Sequence, residues 1–233
     1  MPLDKIAKNK TISKYKYILF DLDGTLTDPG LGITNSVIYS LKKLGIEETD
    51  KEKLYKFIGP PLFESYMKYY GFDKDTADKA VELYREYFKV TGLYENEVYE
   101  GIHDMLDSIR ECGIKTLVAT SKPEIFAIEI LKHFNLYDKF DFVAGATLDG
   151  KRMKKADVIK YACDSFGIVD YSHCLMVGDR EHDVIGAKEV GITCCGVTYG
   201  YGSYDELKNS GARYIVNTPK EILEIKTRGR KWI

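Results

Sequence analysis

The strongest constraint on this chain is a rhythm. Short apolar runs alternate with helical segments, and each run stops abruptly at polar residues. The first run, residues 16–20 (KYILF), is extended in character and ends at Asp21-Leu22-Asp23-Gly24-Thr25. Further runs at 115–119, 142–144, 174–177, 192–197 and 214–216 are separated by segments of helical periodicity. Pro123 and Pro219 stand where a helix would begin, a position that tolerates the missing N–H. Alternation of this kind predicts an α/β fold: a doubly wound parallel sheet with a Rossmann-like core. In such sheets ligands bind beyond the carboxyl ends of the strands.

The rhythm breaks once. Residues 30–93 show helical patterns and no convincing strand. Ile33, Val37, Leu41 and Leu44 recur at helical spacing, with Gly45 able to cap the end. Leu54, Phe57 and Ile58 mark a second helix, stopped by Gly59-Pro60-Pro61. Tyr66, Tyr69 and Tyr70 belong to a third, and Ala77, Ala80, Val81, Tyr84 and Phe88 to a fourth. Four such helices can close on one another. The expected organisation is therefore a core of residues 1–28 plus 96–233, carrying an inserted helical cap at 29–95.

Convergence at the strand ends narrows the chemistry. The first end supplies Asp21 and Asp23, the second Thr120 and Ser121. A later loop supplies Lys151, Lys154 and Lys155, and the fourth run delivers Asp179 with Asp183 one helical turn on. Taken singly, each has a plainer reading. Asp21-Leu22-Asp23-Gly24 can be a turn, and the Asp179 and Thr120 loops can be helix caps. Their coincidence in order, each after a predicted strand, favours one crevice. Clustered carboxylates repel and hold their protons unless a cation intervenes. Oxygen donors suit Mg²⁺, which commonly shares its shell with a phosphate. Lysine then meets the remaining phosphate charge.

The strings FDLDGTLTD, LVATSKP, RMKKADVI and MVGDREHD together resemble the haloacid dehalogenase superfamily of phosphohydrolases, from about residue 15 to 220. The helical insertion, VYEGIHDML and GVTYGYGS resemble its phosphoglycolate phosphatase-like branch. The resemblance implies that Asp21 is a covalent nucleophile and Asp23 a general acid, then base. It implies that Thr120 and Lys155 hold phosphoryl oxygens, with Gly24 and Ser121 beside them. Asp21, the Asp23 carbonyl and Asp179 would bind Mg²⁺, supported by Asp183. This chain departs from the family where Lys155-Ala156 replaces a common Lys-Pro, which leaves Lys151 and Lys154 open as alternatives. Ser121 also stands where Asn is common.

Asp23 argues against halide removal, which needs no acid for its leaving group. A small phosphomonoester is the expected substrate, with phosphoglycolate, nucleoside 5'-monophosphates and pyrophosphate all open. A sugar phosphomutase and a non-catalytic binder are the alternatives. Gly59 and Pro60 could contact the leaving group or merely stop a helix. Tyr66, Tyr69 and Tyr70 could face a nucleobase or fill the cap core.

Composition excludes other classes. The net charge of −2 provides no overall positive field for nucleic acid or membrane. The basic group Lys226, Arg228, Arg230 and Lys231 reads as a solvated tail. Met1–Lys14 is polar and Lys-rich without an apolar segment, and no run suits a membrane helix, so a cytoplasmic protein is expected. The five cysteines include no metal-spaced pair, and Cys174, Cys194 and Cys195 fall in strand-like runs as reduced core residues.

Overall fold

A computed structural model describes residue 12 and residues 14–225 of the chain. The basic group at 226–231 and most of the Lys-rich amino-terminal stretch lie outside the described residues. In chain order the elements are β1 (Tyr17–Phe20), β2 (Thr27–Asp28), α1 (Gly30–Lys43), α2 (Lys51–Leu54), α3 (Leu62–Tyr70), α4 (Lys74–Tyr87) and β3 (Glu97–Val98). There follow α5 (Ile102–Glu111), β4 (Lys115–Pro123), α6 (Glu124–His133), β5 (Phe142–Ala146), α7 (Lys155–Phe166), β6 (Cys174–Gly178), α8 (Glu181–Val190), β7 (Thr193–Val197), α9 (Tyr204–Ser210), β8 (Tyr214–Val216) and α10 (Pro219–Ile222).

Six strands form one parallel sheet in the order β5-β4-β1-β6-β7-β8. Ile18, Leu19 and Phe20 of β1 are all fully buried, as a strand covered on both faces requires. The pleat sends Ile18 and Phe20 into one core and Leu19 into the other. The adjacent Cys194 and Cys195 divide the same way, and both are free thiols. α1, α5, α6 and α10 contribute to the first core, and α7, α8 and α9 to the second. From β1 the chain adds β4 and β5 on one side, then crosses to add β6, β7 and β8 on the other, so the strand order reverses beside β1. Register aligns Phe20 with Val118 on one side and Val177 on the other. Residues just beyond these three meet at the reversal, where a crevice forms.

The helices α1 to α4 lie between β1 and β4 in the chain. Their core holds Leu41, Leu54, Phe57, Tyr66, Ala77 and Ala80. Phe57 sits 5.1 Å from the Tyr66 ring, 5.6 Å from Tyr69 and 6.1 Å from Tyr70. Tyr66 is fully buried and hydrogen-bonded to Ser40. The three tyrosines thus build the helical unit itself, which settles the choice between core and nucleobase face.

One feature escaped sequence periodicity. β2 and β3 pair antiparallel, Thr27 with Val98 and Asp28 with Glu97, and so tie the two chain ends of the helical unit together. Two-residue strands are too short to show alternation. Next to this ribbon, α1 crosses a π-helical turn, Phe88–Gly92, so closely that a Cβ on Gly32 would stand 1.9 Å from the Gly92 carbonyl oxygen. β4 also runs past Ala119 to Pro123, with an irregular register between them. Among the described residues no helix is long and apolar enough to cross a membrane.

Candidate active site

Asp21 follows β1 directly. Its N–H donates to the Val177 carbonyl at 2.9 Å, extending the sheet's hydrogen bonding by one residue. Its Oδ1 accepts from the Leu22 N–H at 2.7 Å and pairs with Lys155 Nζ at 2.9 Å. Lys155 opens α7, and its Nζ also lies 2.9 Å from Asp183 Oδ1 and donates to the Ala119 carbonyl at 3.2 Å. Burial pulls the Lys155 pKa down, but Asp183 and Asp21 outweigh it and hold the ammonium above the usual lysine range. Lys151 pairs with Asp149 at the surface, and Lys154 is exposed. Lys155 is therefore the lysine that meets Asp21.

Asp179 ends the β6 run and is fully buried. Its Oδ2 accepts from the Tyr201 N–H at 2.8 Å, and Oδ1 from Thr25 Oγ1 at 3.4 Å. Asp183, on the first turn of α8, accepts from the Arg180 N–H at 3.1 Å. Asp21, Asp179 and Asp183 each bring one carboxylate oxygen within 4.8 Å of the others. Asp183 therefore stands beside Asp21 and Asp179 in one acidic cluster. Burial, then Asp183 and Asp21, push the Asp179 pKa well up. Burial also raises Asp183, against the pull of Lys155. Three buried carboxylates and one ammonium leave an unbalanced negative charge, which is costly away from water. A buried set of hard oxygen donors with surplus charge fits a divalent cation such as Mg²⁺.

Asp23 points elsewhere. Its Oδ2 pairs with Lys122 Nζ at 2.5 Å, and its Oδ1 has no partner among the described residues. Burial raises its pKa, opposed by Lys122. Lys122 also lies 4.8 Å above the Phe88 ring. Sequence reasoning gave Lys122 no role. The signal was its place beside Thr120-Ser121, obscured because the irregular end of β4 decides which way it points. Thr120 is buried, with Oγ1 accepting from the Lys122 N–H at 3.2 Å, and Ser121 is half-buried. Gly24 has φ +79°, and a Cβ there would meet Asp179 Oδ2 at 2.2 Å. The turn thus needs glycine for both its conformation and its closeness to the cluster.

Asp21, Asp23, Thr120, Ser121 and Lys122 form the floor of a cavity of about 150 Å³. Gly59, Pro60 and Pro61 line it from the helical side, with Phe57, Phe63, Tyr84, Phe88 and Arg85. The walls away from the carboxylates are largely apolar and aromatic. His182 is half-buried outside this lining, and burial lowers its pKa.

A parallel sheet that converges an aspartate pair, a buried lysine and an acidic cluster on a capped cavity defines a phosphate-handling hydrolase. Residues 18–197 match the haloacid dehalogenase-like hydrolase family, and the chain belongs to it. It is an enzyme of that family's phosphatase class. A 5'-nucleotidase of Pseudomonas aeruginosa is 51% identical over 195 residues, covering 84% of this chain and 88% of its own. Tyrosine-protein kinase PtkA of Mycobacterium tuberculosis is 34% identical over 200 residues, covering 86% of this chain and 68% of its own. The crystal structure of a predicted phosphatase from Clostridium acetobutylicum superposes with a TM-score of 0.87 at 52% identity, covering 90% and 97% of the two chains.

Proposed function

We propose that this phosphatase hydrolyses a small phosphomonoester, with a nucleoside 5'-monophosphate as the favoured substrate. The observation that carries the reading is Asp21: buried at a strand end, ion-paired to Lys155 at 2.9 Å, on the floor of a cavity roofed by the helical unit. A carboxylate there can attack phosphorus while its own charge is held by a fixed ammonium.

In this mechanism a carboxylate oxygen of Asp21 forms a bond to phosphorus as the ester oxygen departs. Asp23, whose raised pKa favours the protonated form, gives that oxygen its proton. The carboxylate of Asp23 then takes a proton from water, which attacks the aspartyl phosphate and releases inorganic phosphate with Asp21 restored. Thr120, Ser121 and Lys155 hold the phosphoryl oxygens, and Gly24 lets the backbone approach them. Lys122 keeps Asp23 in place between the two steps. Asp21, the Asp23 carbonyl and Asp179, with Asp183 beside them, would hold Mg²⁺, which would neutralise charge on the transferring group. Residues 29–95 act as a cap that excludes water and receives the leaving group, with Gly59 and Pro60 in contact with it.

The apolar, aromatic walls and the cation Arg85 among them favour a leaving group with a flat ring and hydrogen-bond acceptors. The 51% identity to a 5'-nucleotidase supports the same choice. A phosphate-release screen with Mg²⁺ tests it, across nucleoside 5'-monophosphates, phosphoglycolate, pyrophosphate and hexose phosphates. Release from nucleoside monophosphates, abolished by EDTA, is expected. Conversion of a hexose 1-phosphate to its 6-phosphate without release would establish a mutase instead. Turnover of no compound would leave a binder.

A further inference from the structure

Arg180 follows Asp179 directly and takes no part in the chemistry above, yet its side chain is only 18% exposed. Its Nε donates to Glu206 Oε1 at 2.9 Å. Its Nη1 donates to the Ile58 carbonyl at 2.8 Å. The first contact stays within the core, and the second crosses to the cap. Glu206 is itself fixed: the same Oε1 accepts from the Glu181 N–H at 2.9 Å, and the Glu206 N–H donates to Ser203 Oγ at 3.1 Å. The core therefore sets the guanidinium's direction before it reaches the cap.

Ile58 precedes Gly59-Pro60-Pro61, the stretch that lines the cavity. Two prolines in that stretch have no N–H, so it can donate little to any partner of its own. Its Pro61 carbonyl is held from within α3, by the Ser65 N–H at 3.1 Å, and the Ile58 carbonyl is where the core takes hold of it. A second tether starts from Asp179, the residue before Arg180. The Tyr201 N–H donates to Asp179 Oδ2 at 2.8 Å. The Tyr201 hydroxyl bonds Asp28 Oδ1, where the chain leaves for the cap, and its ring lies 5.7 Å from that of Tyr55.

We propose that Arg180 is a positioning residue that pins the Gly59-Pro60-Pro61 wall against the core, so that the leaving group meets a preformed surface. The proposal rests on the phosphatase reading, and it explains why an arginine occupies this loop. A planar fork can satisfy a carboxylate and a carbonyl at once, whereas a lysine presents one point charge. Because the wall faces the leaving group rather than phosphorus, Arg180 governs how well bulky esters bind rather than how fast bonds break.

The test compares the full-length wild type with Arg180→Met and Arg180→Lys on p-nitrophenyl phosphate, whose leaving group is an aromatic ring, and on acetyl phosphate, whose leaving group is small. Arg180→Met should raise KM for p-nitrophenyl phosphate about tenfold with kcat within about threefold, and change either constant for acetyl phosphate by less than about twofold. Arg180→Lys should fall between. Hydrogen exchange in the Mg²⁺-loaded proteins is the second readout. Amides of residues 55–66 should exchange about tenfold faster in Arg180→Met, with those of 174–178 unchanged. Equal losses on both substrates, or unchanged exchange at 55–66, would overturn the proposal. Should Arg180→Met fail to fold, Glu206→Leu removes the acceptor of the core clamp while keeping the arginine, and the same exchange shift at 55–66 is required of it. Wild-type protein that turned over neither compound would sink the phosphatase reading, and the exchange comparison would then decide the tether by itself.

Discussion

Asp21 and Asp23 are two residues apart, yet their surroundings divide them. Asp21 faces Lys155 and the acidic cluster, and Asp23 faces Lys122 with a raised pKa. That division suits one to a nucleophile and the other to an acid. Asp21→Asn keeps the shape and removes the nucleophile. Phosphate release should fall about a thousandfold or more, with the melting temperature nearly unchanged. Normal turnover in that variant, measured in a steady-state phosphate assay, would end the nucleophile assignment. Gly24→Ala tests the close approach to Asp179. Its Cβ would stand 2.2 Å from Asp179 Oδ2 at φ +79°. The strained backbone should cost about 1–3 kcal/mol, and displacement of Asp179 should raise the Mg²⁺ concentration needed for half-maximal activity. Denaturant unfolding and a Mg²⁺ titration read the two effects separately.

Among elements, the link between α1 and α2 shows how local hydrogen bonds tie the helical insertion together. Glu48, in the link between α1 and α2, accepts from Lys53, from the Tyr70 hydroxyl and from the Asp50 N–H. These bonds lower its pKa to about 2. A depressed carboxylate contributes stability that is present above its unfolded value and is lost as pH falls toward the folded one. Here that window runs from about 4.5 down to about 2. Glu48 is close to solvent, so screening keeps the effect small. Glu48→Gln should lower the melting temperature by about 2 °C at pH 7, and the difference from wild type should shrink toward pH 3. A constant difference across that range would show that the charge is not what matters. The helical periodicity of 30–93 revealed these cap helices, and the alternation revealed the sheet. It did not reveal the β2–β3 ribbon or the extension of β4 beyond Ala119, since both are made by pairing across long sequence gaps.

For the molecule as a whole, the acidic cluster links folding to metal and pH. Asp23, Asp179 and Asp183 all have raised pKa values in the folded chain, led by burial. A raised carboxylate contributes stability that is complete below the unfolded pKa, near 4, and is lost as pH rises through the folded value. The metal-free protein should therefore lose stability on going from mildly acidic to mildly alkaline buffer. On the proposed Mg²⁺ site only the ionised cluster would take the metal, so Mg²⁺ should raise the melting temperature by about 5 °C or more at pH 8 and by less at pH 5. Thermal melts with EDTA or Mg²⁺ at both values check the sign. A metal effect larger at pH 5 would remove the cluster as the binding site.

Asp21 could be singled out from a linear string because an apolar run that must be buried on both sides can end in charge only where a sheet opens to a crevice. The same logic exposed Thr120 and Asp179, each at its own strand end, and a later loop carrying Lys151, Lys154 and Lys155. These are local facts of polarity and spacing, and the sequence by itself determined them, together with the α/β architecture and the helical insertion. Which of three neighbouring lysines reaches Asp21, that Asp183 joins the acidic cluster, that Lys122 serves Asp23, and that Arg180 spans core and cap were decided only by the tertiary structure. Each depends on the direction of a long side chain across a gap of tens of residues, or more than a hundred, and that direction is set by how α7, α8 and the cap pack. Packing of that kind leaves no period or motif in the chain for local reasoning to find.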